Sequence, residues 1–159
     1  AKSYLDKAEA IDGKSAEVNA NKALIALAEG KSAEAKDYLM KATASPNYNE
    51  VLGNLQVAAG NYAQAAQCLK GVNSNSAALA QLLNKDYAEA SKTLGKVARP
   101  DATTSYLKAI VAARSGQDSS VLSNLKDAFA KDSSLKQRAA KDLEFATLFN
   151  DATFQSLVK

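Results

Sequence analysis

The 159-residue chain contains no histidine, no tryptophan, one cysteine, one methionine and two prolines. Without histidine there is no Ser-His-Asp or Cys-His nucleophile, no HExxH zinc site and no imidazole proton shuttle. A lone cysteine, Cys68, excludes an intramolecular disulfide and a cysteine-rich zinc site. It lies just before Leu69 on an apolar stripe with no base to activate it, and reads as a packed structural thiol. No apolar run approaches the about 18 residues of a membrane-spanning helix. Arginine is scarce: Arg99, Arg114 and Arg138 are three of 20 basic residues, and the lysines are interleaved with 17 acids. Nucleic-acid readers gather Lys and Arg on one face, so the net charge of +3 reads as solvated helix faces. The expectation is a chain that is not an enzyme, takes no cofactor or metal, reads no nucleic acid and does not insert into a membrane through this segment.

Three features imitate catalytic motifs. Gly13-Lys14-Ser15 and Gly30-Lys31-Ser32 look like the end of a phosphate-binding loop. That loop needs a glycine five residues earlier, where Ala8 and Ile25 stand. Both triplets therefore read as turns between helices. Asp142 and Glu144 are two apart, too close along a helix end to face each other across a cleft, and read as capping acids.

What is present is helix. Apolar residues make up 47% of the chain and charged residues 23%, with only seven glycines. Alanine, leucine, lysine, asparagine and serine dominate, and β-branched runs are missing, so an all-α globular chain is expected. Residues 1–8, AKSYLDKA, recur as AKDYLMKA at 35–42, identical at six of eight positions and offset by 34. Fainter copies run from Gly60 to Leu69, from Lys85 to Leu94 and from Gly116 to Leu125. The anchoring leucines Leu5, Leu39, Leu69, Leu94 and Leu125 are spaced 34, 30, 25 and 31. Each copy places a turn residue, a capping residue, a small residue (Ala35, Ala65, Ala90) and a leucine four positions on. That pattern describes two helices joined by a tight turn, which bury their shared face only by stacking on a neighbour. Asn61 with Gln64 and Asp86 with Glu89 have capping-box spacing. Helices are expected near 1–11, 15–29, 31–44, 48–59, 61–71, 74–84, 86–97, 102–115, 118–131 and 134–142, with short ones near 143–149 and 152–158.

The stretch Leu52–Val72, LGNLQVAAGNYAQAAQCLKGV, resembles the tetratricopeptide repeat. Leu52-Gly53, Gly60, Tyr62, Ala65 and Leu69 match the family's Leu-Gly pair, turn glycine, turn tyrosine, small residue and large apolar residue. The family's tryptophan is missing, Gln56 replaces its tyrosine, and its unit-ending prolines appear only as Pro46 and Pro100. The resemblance implies a right-handed α-α superhelix, a solenoid of about four degenerate helix pairs over 1–131. The tail 132–159 would form a C-terminal helical cap. Because AKSYLDKA matches the second helix of a unit, the chain reads as a fragment whose first unit is truncated upstream, the competing reading being a native N-terminal helix that only looks like a repeat. The resemblance further implies that the first helix of each pair lines a concave groove. The candidate partner-binding residues there are Asn21, Leu24, Glu50, Asn54, Val57, Asn75, Gln81, Tyr106, Ile110 and Arg114. Tyr106 and Arg114 lead because tyrosine and arginine concentrate binding energy. Glu50, one turn before Asn54, puts an acid where a chaperone-tail clamp needs a lysine.

The function expected is a protein-interaction scaffold holding a peptide or partner protein. One alternative is a structural or assembly module packing on other domains of its own polypeptide, or self-associating. Another is a ligand-binding accessory domain of an envelope complex. The composition looks like bacterial arrays attached to envelope proteins, which favours the periplasm or cell envelope over the cytoplasm.

Overall fold

The computed structural model describes residues 4, 7, 15–45 and 48–159. Ten α-helices and one 3-10 helix are found among the described residues, and no strand. The helix expected near 1–11 lies, apart from Tyr4 and Lys7, outside the described residues, as does Pro46. The chain divides into two compact units, Ala1–Val72 and Asn73–Lys159.

The first unit holds α1 (Ala16–Ala28), α2 (Ser32–Met40), α3 (Tyr48–Ala58) and α4 (Tyr62–Cys68). Helix α1 packs on α2 and α3 on α4, and α3 also lies against both α1 and α2. In the second unit α5 (Asn75–Leu83) packs on α6 (Tyr87–Gly95), and α7 (Ala102–Arg114) packs on α8 (Asp118–Lys131). There α7 lies against both α5 and α6. Among the described residues, each unit thus contains two helical hairpins stacked by one rule.

The four hairpin turns explain why. Gly30, Gly60, Lys85 and Gly116 all take left-handed backbone, with φ of 74°, 78°, 65° and 69°. The next residue's N–H then reaches back five positions: Lys31 to the Ala26 carbonyl (2.8 Å), Asn61 to Gln56 (2.8 Å), Asp86 to Gln81 (2.8 Å) and Gln117 to Ala112 (2.9 Å). This closes the last carbonyls of each first helix and turns the chain straight into the second. With the turns in register, small residues fall seven positions before each: Ala23, Gly53, Ala78 and Ala109, all buried. The leucines nine positions after (Leu39, Leu69, Leu94, Leu125) are at most 4% exposed. At Gly53 a Cβ would come within 2.4–2.9 Å of the Leu69 side chain, so this pair of helices has closed onto the missing methyl.

Some details differ from the sequence reading. Helices α2 and α4 end earlier than expected because their last turns tighten: Ala42 N–H bonds Leu39 O and Val72 N–H bonds Leu69 O, each three residues back. Asp86 caps α6 through the Glu89 N–H at 3.4 Å. Asn61 makes no cap bond; its amide donates instead to the Gln56 side chain at 2.8 Å.

The tail contributes α9 (Leu135–Ala139), a 3-10 helix (Leu143–Leu148) and α10 (Ala152–Leu157). Helices α9 and α10 pack on α8, and the 3-10 helix packs on α7. Phe145 and Phe154, 0% and 2% exposed, share one core with Tyr106, Leu125 and Phe129. The division at 72/73 therefore differs from the sequence boundary at 131/132: aromatic burial makes the tail part of the second unit.

Two outcomes follow from the turn geometry. Replacing Lys85, the one left-handed non-glycine among the described residues, by glycine is expected to stabilise the second unit by about 0.5–1 kcal/mol in thermal or urea unfolding. Gly53→Ala is expected to destabilise the first unit by about 1 kcal/mol in hydrogen exchange at α3. Overpacking on Leu69, about 1–3 kcal/mol, outweighs the roughly 1 kcal/mol of helix propensity gained.

Candidate functional site

An open cavity of about 780 Å³ lies in the second unit. Its floor is the outward side of α7, where Val111 and Ala112 are buried. One wall is the start of α6 with Tyr87, Ala88 and Ser91; the other is the start of α8 with Ser120 and Asn124. Turn residues Lys85, Asp86, Ser115 and Gln117 rim one end, and Lys108, two turns back along α7, stands toward the other. The groove exists because α6 and α8 are the second helices of consecutive hairpins, and α7, between them, presents small side chains to the gap.

Most of the lining side chains are hydrogen-bonding groups over an apolar floor. Asp86 is occupied as the cap of α6. The Asn124 amide donates to the Ser120 carbonyl at 2.7 Å, leaving its oxygen toward other donors. The Lys85 and Lys108 side chains form no hydrogen bond or ion pair with any described residue. Such a site can bind.

None of the ten sequence-derived candidates lines this groove. In the second unit they are used internally. Asn75 donates to Asp101 (3.1 Å) and accepts from the Thr104 hydroxyl (2.8 Å), fastening the start of α5 to the capping box of α7. Gln81 is 6% exposed, and its Oε1 has no donor. At the same position before the Gly60 turn, Gln56 receives a donor from Asn61; before the Lys85 turn Asp86 offers only acceptors. Ile110 is buried among the core residues.

Tyr106 is 4% exposed, stacks edge-on against Phe145 at 5.6 Å and donates its hydroxyl to Asp142 at 2.8 Å. The Arg138 guanidinium lies 5.2 Å from its ring centre. Burial first, then the Asp142 carboxylate, push the phenol far above its ordinary pKa, so it stays a neutral donor. Arg114 holds Glu144 through two of its three guanidinium nitrogens, Nε at 2.8 Å and a terminal nitrogen at 2.5 Å. The Glu144 bond raises the guanidinium pKa further. The leading sequence candidates are therefore clasped by the tail's own acids. Asp142 also caps the 3-10 helix through the Glu144 N–H at 3.1 Å, the role expected for both acids, whereas the Glu144 carboxylate pairs with Arg114 instead of capping.

In the first unit Asn21 is exposed, while Leu24, Glu50, Asn54 and Val57 are half-buried. Leu24 packs against that unit's core.

One further cluster joins a serine and a lysine. Ser105 donates to Asp127, and Lys131 donates to both Ser105 (3.0 Å) and Asp127 (2.7 Å). The carboxylate between them satisfies both donors, so the trio is a closed tie between α7 and α8. Lys131 above all holds the Asp127 carboxyl below its ordinary pKa; the Thr104 N–H does most to lower that of Asp101.

Against family models, curated proteins and solved structures, the chain has no match.

The contacts make two predictions. Tyr106→Phe should lower second-unit stability by about 1–2 kcal/mol in urea unfolding, since a hydrogen bond to a carboxylate is lost. A carboxylate with a depressed native pKa stabilises above its unfolded value, near 4, and that contribution fades as pH falls through the native value. Protection of α7 amides against hydrogen exchange should therefore fall as pH drops below about 4, with a shallower fall in Asp101→Asn.

Proposed function

We propose that the chain is an interaction module of the tetratricopeptide type whose second unit holds a segment of a partner protein in the groove between α6, α7 and α8. The observation that carries this reading is the groove itself: a buried apolar floor, a hydrogen-bonding rim and a volume of about 780 Å³. Small buried floors edged by polar groups are the usual anatomy of sites for short segments. The family assignment is supported by the four matching turns and by the same stacking rule within each unit. A fold alone does not define a function, so the groove bears the argument.

A second reading, a structural module that packs on other parts of its own polypeptide, is favoured by a different observation. In the second unit Asn75, Tyr106 and Arg114 are consumed by internal contacts. Their substitution would disturb folding before it disturbed binding.

Selection of displayed random peptides on the whole chain separates the two. Peptides are expected that bind the unaltered chain and lose at least about tenfold, 1.4 kcal/mol, on Ser91→Trp, which fills the groove from an exposed position. The melting temperature should stay unchanged. Peptides insensitive to Ser91→Trp but lost on Asn21→Ala/Asn54→Ala would move the site to the first unit. No selected peptide at all would leave the packing module.

A further inference from the structure

The two units can be laid on each other through their turns, Gly30 on Lys85 and Gly60 on Gly116. On that register the groove's residues have counterparts in the first unit. Leu52 stands where the second unit has Lys108, Gln56 where it has Ala112, Lys36 where it has Ser91 and Cys68 where it has Asn124. Leu52 packs against the first unit's core. At two of these places, Ala112 for Gln56 and Ser91 for Lys36, the second unit has a small residue where a long one would fill the gap. It has also put a cation at a position whose counterpart is apolar. Lys108 is half-buried, between Leu107 and Ala109 on a helix whose neighbouring positions are core. Packing alone would favour leucine there, since only the apolar stem of a lysine gains from contact with core positions.

Among the described residues that charge has no hydrogen bond or ion pair. The acid that acts on it from α8, Asp127, is already bonded by Lys131 and Ser105. The groove's own acid, Asp86, is turned into the cap of α6. Lys85 adds a second cation without an ion pair at the rim. Serine, glutamine and asparagine side chains around them can donate further hydrogen bonds.

We infer that the groove takes an acidic peptide segment, with an Asp or Glu carboxylate of the partner placed on Lys108 and small apolar side chains of the segment on Val111 and Ala112. This rests on the groove reading above and adds the chemistry of its occupant. Charge complementarity of this kind chiefly selects the partner and speeds its arrival.

The test is a titration of the whole chain, followed by backbone amide NMR, with three capped peptides of about ten residues. One alternates glutamate with alanine, one lysine with alanine and one serine with alanine. The glutamate peptide is expected to shift Ser91, Val111, Ser115 and Asn124. Lys108→Gln should weaken it about five- to tenfold, whereas Lys126→Gln, the same charge change at an exposed residue outside the groove, should alter it less than about twofold. Lys108→Leu, which restores the first unit's residue, should act like Lys108→Gln and keep or raise the melting temperature. That outcome separates loss of binding from loss of fold. Equal weakening by Lys108→Gln and Lys126→Gln would overturn the inference, because only long-range attraction would then be at work. Binding of the serine or lysine peptide in the groove as tightly as the glutamate peptide would overturn it while leaving the groove reading standing. No shift of groove residues with any of the three would overturn both.

Discussion

Everything in this fold depends on a backbone turn that an L-residue with a side chain adopts reluctantly. A left-handed residue ends each first helix and sends the following N–H back to a carbonyl five residues earlier. Once that bond is made, the second helix starts with no slack, and its phase relative to the first is set. The phase in turn decides that a buried small residue seven positions before the turn and a leucine nine positions after it belong to the same interface. Glycine meets the backbone demand without cost at three turns; Lys85 meets it with strain.

The same constraint has two consequences for surface chemistry. It aligns the first helices so that the polar residues on one face of α5 meet the start of α7. Asn75, Asp101 and Thr104 become a closed network there instead of an open binding face. It also leaves a gap between second helices wherever the intervening first helix carries small residues. In the second unit Ala112 and Ser91 leave that gap unfilled, and Lys108 enters it. The groove is therefore a by-product of repetition that substitution at a few positions has opened.

At the tail, aromatic burial and two acid contacts work together. Phe145 and Phe154 cover the apolar side of α7 and α8, while Asp142 and Glu144 meet Tyr106 and Arg114. The aromatic burial supplies the larger energy; the charged contacts set the register in which it is made. Tyrosine and arginine are enriched in binding sites for the same reasons that they are useful here, a large apolar body with a directional polar end.

Helix content, the paired-helix plan and the hairpin positions were legible in the sequence. They follow from local causes: turn residues with the right backbone freedom, apolar residues at helical spacing and capping side chains. Even the Lys85 turn could be read, because its neighbours keep the pattern of the glycine turns. Which polar residues are free was not legible. Tyr106 and Arg114 look available in one dimension, and only the return of the tail from more than 25 positions away, Asp142 to Tyr106 and Glu144 to Arg114, occupies them. The groove was half legible: Lys108 falls on the Leu52 position once the turns are aligned. That it stands in an open space over Val111 and Ala112 is decided by how α6, α7 and α8 pack, a property of side-chain volumes across three helices that no local pattern carries.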